Sequence, residues 1–264
     1  MPIPRPIRTL LFDMDGVLYR GQTILPGVAE VIAYCQQHDL PFATITNNAT
    51  RTRQQYEQKL HAMGLAVRGD QVFTSSIITN AWLRTHYPAG TRVLAIGMRG
   101  LTDELFGDGY FVSDEEQPQL VVQGADFELT YERLKRGCLA IRAGARYILT
   151  NPDRTFPTEI GLVPGAGAIS AALVAATGVE PTILGKPQPT MFNTALHMLG
   201  GDPATTLVVG DRLDTDIAGA RNAGLPCALV LTGVTTPDEL AVSPLQPDLV
   251  LHDLTELYAL LQHQ

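Results

Sequence analysis

The feature that most limits what this chain can become is a run of four residues. Thr9-Leu10-Leu11-Phe12 is too short for a helix and stops abruptly at Asp13-Met14-Asp15-Gly16. A short apolar run closed by aspartate-glycine turn chemistry reads as a buried strand. Helical and strand patterns then alternate. Val28 to His38, with Pro26-Gly27 ahead of it, reads as a helix; Pro41 to Thr46 reads as a strand; Thr52 to Met63 reads as a helix ending at Gly64. The same grammar returns late in the chain. Thr205 to Val209 reads as a strand, Asp216 to Ala223 as a helix ended by Gly224, and Cys227 to Leu231 as a strand. Asp248 to Leu251 is a last short strand before a terminal helix. Such alternation predicts an α/β fold, a Rossmann-like three-layer core with a parallel sheet covered on both faces by helices.

Between these flanks lies a segment with its own alternation. Arg92 to Ile96, Leu120 to Gln123 and Tyr147 to Thr150 read as strands, and Thr130 to Ala143 as a helix. No repeat or low-complexity linker marks a boundary. Acidic, strand-terminal motifs stand on both flanks, so the middle reads as an insertion. The expected core is residues 1–78 plus 185–264, and the expected α/β cap is residues 79–184.

Composition excludes several function classes. The 264 residues suffice for one large domain or two modest ones. A net charge of -8 argues against a nucleic-acid partner, which needs a basic stripe. Cys35, Cys138 and Cys227 form no Cys-x-x-Cys pair, so neither a disulfide framework nor a structural zinc site is expected, and a reducing, cytoplasmic location is. Asp13 and Asp15 interrupt the early apolar run, which argues against a signal peptide. Ile160 to Val179 is uncharged over a membrane-spanning length, but Pro164 and four glycines make it read as a loop plus a tightly packed helix.

Four elements carry chemistry. Asp13 and Asp15 follow directly on a strand, and ligands of open parallel sheets bind beyond the carboxyl ends of strands. Such a pair suits a hard cation; alone it is also an ordinary capping turn, while a calcium loop fails because the glycine comes one residue after the second aspartate and the later acidic ligands are missing. Thr46-Asn47-Asn48 ends the second strand and offers a hydroxyl, amides and N–H groups to phosphate oxygens, or else a plain helix N-cap. Lys186, between Gly185 and Pro187, is a rigidly presented point charge. Gly210-Asp211-Arg212-Leu213-Asp214-Thr215-Asp216 again clusters acids at a strand end. The segment reads either as a turn with N-capping aspartates, Asp214 in particular, or as a site in which Asp211 completes the metal ligands and Asp216 orients neighbours such as Lys186.

Taken in order, these elements closely resemble the haloacid dehalogenase superfamily of phosphohydrolases. Asp13 to Gly21, Thr46-Asn47-Asn48, Thr150-Asn151-Pro152-Asp153, Pro164-Gly165-Ala166-Gly167, Gly185-Lys186-Pro187 and Thr232-Gly233-Val234 look like its 4-nitrophenylphosphatase-like (NagD-type) branch, across almost the whole chain. The resemblance implies a magnesium-dependent phosphoric monoester hydrolase. In it Asp13 attacks phosphorus, and Asp15 protonates the leaving oxygen and then activates water. Mg2+ is held by Asp13, the Asp15 main-chain carbonyl and Asp211, while Thr46, Asn47, Asn48 and Lys186 cradle the phosphoryl oxygens and Asp216 supports them. The acid at position 15 favours rapid hydrolysis over a long-lived phosphoenzyme.

The implied substrates are small phosphorylated metabolites: 4-nitrophenyl phosphate-like esters, sugar phosphates, nucleoside monophosphates or phosphoglycolate. Neither nucleic acid nor membrane is an expected partner, and a homodimer through the cap is. Gly124 to Tyr131 departs from the branch's usual Gly-Leu-Asp-Arg-x-Phe-Thr-Tyr. Phe127 stands where a basic residue is common, which disfavours an anionic leaving group. Rival functions are a phosphotransferase or phosphomutase, a catalytically retired binding module, and a dinucleotide-binding oxidoreductase suggested by Gly165-Ala166-Gly167.

Overall fold

A computed structural model describes residues 6–158 and 160–264, which form two compact units. Of the described residues, the first comprises 6–46, 54–73 and 186–264; the second comprises 47–53, 74–158 and 160–185. These limits differ from the expected 1–78, 79–184 and 185–264. A cut after residue 78 would split one helix, Ser75–His86, which belongs wholly to the second unit. That helix starts where Thr74 Oγ1 accepts a hydrogen bond from the Ile77 N–H at 3.3 Å. Residues 47–53 join it because the Asn47 carbonyl accepts from Ser75 Oγ at 2.6 Å and from Asn151 Nδ2 at 2.7 Å.

The first unit is built on a six-stranded sheet. Its order is Leu249–Leu251, Cys227–Val230, Thr206–Gly210, Thr9–Phe12, Phe42–Thr46 and Val72–Thr74. Thr9–Phe12 pairs in parallel with Thr206–Gly210 on one side and with Phe42–Thr46 on the other. Every residue of these three strands is buried, as continuous apolar runs in a parallel sheet require. One face presents Leu10, Phe12, Leu207 and Val209 to a core that includes Val28, Val31, Leu257 and Leu261, from the helices Val28–Gln37 and Leu254–Gln262. The register fixes the site, because Phe12 lies opposite Val209. The residues that follow each strand therefore emerge side by side at the carboxyl edge of the sheet.

The second unit has a five-stranded sheet ordered Thr182–Ile183, Arg146–Leu149, Leu120–Gln123, Arg92–Ile96 and Val112–Ser113. All of its strand pairs are parallel. The helix Tyr131–Arg142 lies close to the expected Thr130 to Ala143, while Arg99–Phe106 had no counterpart in the sequence reading. The stretch expected as a loop before the helix Ala166–Thr177 is partly strand: Gly161–Pro164 pairs antiparallel with Thr155–Thr158. Gly161, opposite Thr158, holds φ +126°, a backbone conformation that favours glycine. Among the described residues no helix is long and apolar enough to cross a membrane.

Candidate active site

Strand register brings Asp13 beside the loop after Thr206–Gly210. The Asp13 N–H donates to the Val209 carbonyl at 2.9 Å, continuing the ladder one residue past Phe12. Asp211, Asp216 and Asp13 converge there, each with a carboxylate oxygen within 4.8 Å of the others. Lys186, only 3% exposed, enters the same cluster from its own loop. Its Nζ contacts Asp13 Oδ1, donates to Asp216 Oδ1 at 2.6 Å, and lies 3.4 Å from the Ile45 carbonyl. The lysine and aspartates that the sequence placed on separate strand ends thus meet in one buried group.

Asp216 sits in a wide turn rather than in the first turn of an α-helix. Leu213–Ile217 is a π-type turn, with the Ile217 N–H donating to the Arg212 carbonyl at 3.1 Å, and the α-helix proper is Ala218–Asn222. The turn swings Asp216 back under the loop. Its Oδ2 accepts from the N–H groups of Arg212 at 3.1 Å and Asp211 at 3.3 Å, while Oδ1 meets Lys186. Both oxygens are committed, so Asp216 anchors the lysine and the Asp211 backbone.

Asp211 is different. Its Oδ2 accepts from the Val234 N–H at 2.7 Å, but Oδ1 is buried with no hydrogen-bond partner. An ionised oxygen in that state is costly, and natural proteins leave such atoms where a ligand completes them. The carboxylate is also closely wrapped. A Cβ on Gly16 or on Gly233 would collide with it, and Gly16 holds φ +83°. The Thr232-Gly233-Val234 loop is tied in place by Thr232 Oγ1 donating to the Gly16 carbonyl at 2.6 Å.

The electrostatics follow from this crowding. Burial pushes Asp13 well above the usual carboxylate range; Lys186 opposes this, and Asp216 and Asp211 reinforce it. Burial and the nearby Asp216 carboxylate push Asp211 up to about 7, against the Val234 N–H. Burial alone would lower Lys186, but Asp13 and Asp216 outweigh it and hold the ammonium charged. With all three carboxyls ionised, three carboxylates face one ammonium, and the excess of two negative charges is what a divalent cation matches. The oxygen donor set, with one partnerless carboxylate oxygen, fits magnesium.

The remaining expected residues divide. Asp15 lies on the turn beyond Asp13; its side chain is exposed and its carboxylate is outside the three-aspartate cluster. Thr46 is buried at the end of Phe42–Thr46. Asn47 and Asn48 belong to the second unit. Asn47 Nδ2 donates to Asp153 Oδ1 at 3.0 Å, and Asn48 Oδ1 accepts from the Thr50 N–H at 2.9 Å and Thr50 Oγ1 at 2.7 Å. The Asn48 side chain closes a local turn, and the Asn47 side chain ties the segment to Asp153. Sequence reading missed the Val234 N–H and Gly233 as partners of Asp211. A main-chain donor has no sequence signature, and only the resemblance of Thr232-Gly233-Val234 to the branch's late loop pointed to the place.

The glycine fingerprint in the second unit is accounted for by packing. The Gly165 N–H donates to the Arg154 carbonyl and the Gly167 N–H to the Asp153 carbonyl, at 2.9 and 2.8 Å. The chain itself fills the space that a pyrophosphate would occupy in a dinucleotide fold.

Comparison with known proteins agrees with this geometry. Residues 10–111 match the family described as haloacid dehalogenase-like hydrolase, and residues 183–257 match a second, HAD-hydrolase-like family. An acid sugar phosphatase of Staphylococcus saprophyticus is 36% identical over 250 residues, covering 95% of this chain and 96% of that protein. The crystal structure of 4-nitrophenylphosphatase from Thermotoga maritima superposes with a TM-score of 0.92 at 38% identity, covering 97% of this chain and 98% of that one. That of glycerol phosphate phosphatase from Mycobacterium tuberculosis, in complex with magnesium, gives 0.87 at 35% identity over 97% of this chain and 78% of that one. With parallel sheets flanked by helices and aspartates at their carboxyl edge, the chain belongs to the haloacid dehalogenase-like hydrolases.

Proposed function

We propose that this protein is a magnesium-dependent phosphatase that hydrolyses small phosphate monoesters through an aspartyl-phosphate on Asp13. The observation that carries this reading is the convergence of Asp13, Asp211 and Asp216 on Lys186, with one oxygen of Asp211 left for a cation. The printed activities of the relatives, acid sugar phosphatase, 4-nitrophenylphosphatase and glycerol phosphate phosphatase, support it.

Asp13 is the nucleophile because it is the buried carboxylate at the strand end that Lys186 already touches, so it is held in one orientation for in-line attack. Asp13, the Asp15 main-chain carbonyl and Asp211 would hold magnesium, which would supply neutralisation of charge between nucleophile and phosphate. Lys186 neutralises phosphoryl oxygens, and Thr46 offers them its hydroxyl. Asp216 holds the Lys186 ammonium and the Asp211 backbone in place. Asp15 protonates the leaving oxygen and then takes a proton from the water that cleaves the acyl phosphate. The resemblance to the branch, with Phe127 where a basic residue is common, supports uncharged leaving groups such as sugars over acids.

Hydrolysis of sugar phosphates, glycerol phosphate, nucleoside monophosphates and phosphoglycolate, with and without magnesium, tests this. Metal-dependent turnover of sugar phosphates above phosphoglycolate is expected, with phosphate trapped on Asp13 after rapid acid quench. Turnover without any label on Asp13 would remove the mechanism.

A further inference from the structure

The exposed acid Asp15 stands on a turn, and a carboxyl there rotates among rotamers unless something holds it. The turn itself supplies a holder. Gly16 N–H donates to the Tyr19 carbonyl at 2.9 Å, and Leu18 N–H donates to the Met14 carbonyl at 2.8 Å, so the chain doubles back and sets Tyr19 beside Asp15. The Tyr19 hydroxyl lies 3.5 Å from Asp15 Oδ2 and 3.8 Å from Met14 Sδ. The ring is fully buried, and Tyr19 pairs with Ile24 in a small hairpin, so the hydroxyl has little freedom to move away. Lys59, from the helix Arg53–Ala62, places its ammonium 3.6 Å from the ring centroid. A cation on the ring face draws electron density from the ring and makes the phenol a stronger donor.

We propose that Tyr19 is a positioning residue for Asp15, and that Lys59 reinforces it through the ring. This rests on the reading of Asp15 as the general acid. The hydroxyl contact on Oδ2 holds the Asp15 carboxyl in one orientation for proton delivery. In the first step the bond from Asp13 oxygen to phosphorus forms and the bond from phosphorus to the ester oxygen breaks. The departing oxygen keeps the electron pair and takes the proton from the Asp15 carboxyl. A hydrogen bond at 3.5 Å is long, and such contacts commonly tighten when substrate arrives.

The test uses Tyr19→Phe, which removes the hydroxyl and leaves the ring under Lys59. An alkyl phosphate, whose leaving alkoxide needs a proton, is compared with 4-nitrophenyl phosphate, whose leaving phenolate needs little help. The expected result is a fall in kcat of about 3- to 10-fold on the alkyl ester, the worth of one ordinary hydrogen bond. Loss on 4-nitrophenyl phosphate should be smaller, with KM unchanged for both. Equal losses on both esters, or kcat on the alkyl ester within error of the wild type, would overturn the proposal. Should Tyr19→Phe not fold, Lys59→Met carries the same test with about a 2-fold selective loss expected; no selectivity overturns it equally. Asp15→Asn in parallel separates the two ideas. Full alkyl-ester turnover by Asp15→Asn would sink the acid assignment itself, whereas a crippled Asp15→Asn beside an unaffected Tyr19→Phe sinks only the role of the tyrosine.

Discussion

Each unit buries a polar cluster against its parallel sheet, and the two clusters are built on opposite principles. In the second unit, Tyr147 donates to Gln123 Oε1 at 2.8 Å and lies 2.9 Å from Ser170 Oγ. Gln123 Nε2 donates to the carbonyls of Gly124 at 2.6 Å and Ala166 at 3.0 Å. The group is neutral, and both the donors and the acceptor of Gln123 are used. Burial, opposed by Ser170, pushes the Tyr147 phenol up to about 12, so it stays protonated. In the first unit the cluster carries a surplus of negative charge and an orphaned Asp211 oxygen. A satisfied network fixes a core; an unsatisfied, charged one costs stability and is retained where chemistry needs it.

The comparison breaks most sharply at Asp13. Asp13→Asn is expected to lower turnover about 10⁴-fold or more, the scale on which lost nucleophiles are measured. It should at the same time leave the fold intact and raise the melting temperature of the metal-free protein, because it removes one of three crowded carboxylates. Activity assays and thermal melts on the same preparation check both halves. A fully active Asp13→Asn would end the proposed mechanism, and a large drop in melting temperature would mean the first cluster is structural after all.

Metal and proton compete for the same surplus. Asp211, ordinarily near 3.8, titrates at about 7 in the folded chain. The folded state therefore binds more protons than the unfolded state between those values. Stability from this group is complete below about pH 4 and is lost as pH rises through about 7. The metal-free protein should accordingly lose stability relative to Asp211→Asn as pH rises over that window. Magnesium should reverse the loss, by about 2.7 kcal/mol at a hundredfold excess over its Kd. Thermal melts at several pH values, with chelator or with magnesium, read this directly; a pH-independent difference between the two proteins would refute it.

The parts of the molecule that were legible in the sequence are those set by local pattern. Leu10 to Phe12 and Leu207 to Val209 are short apolar runs closed by acids, and their pairing needs only a parallel register to bring Asp13 and Asp211 together. Lys186 was legible only by its company, since a single lysine has no pattern. The helix Ser75–His86 was illegible because it buries Ser75, Ser76, Thr79 and Asn80, leaving no clean apolar stripe. Asn48 closes a local turn on Thr50, whereas the role of Asn47 depended on partners that no local rule supplies. Asp153 and Asn151 lie 106 and 104 residues from Asn47, and their hydrogen bonds decide which unit the segment joins.

The smallest expected effect lies in the neutral cluster and has the opposite sign. Tyr147→Phe keeps the ring that packs among Leu94, Ile96, Val121 and Leu173 but removes the hydroxyl, so Gln123 Oε1 loses its donor inside the core. Leaving a buried acceptor unsatisfied costs about 1–3 kcal/mol. Denaturant unfolding should show that loss, while kcat and KM on a sugar phosphate stay at wild-type values, since Tyr147 belongs to no step of the reaction. Asp13→Asn and Tyr147→Phe would then form a crossed pair, one losing turnover and gaining stability, the other losing stability alone. If Tyr147→Phe lowered kcat without lowering stability, the division between a charged working cluster and a neutral supporting one would fail.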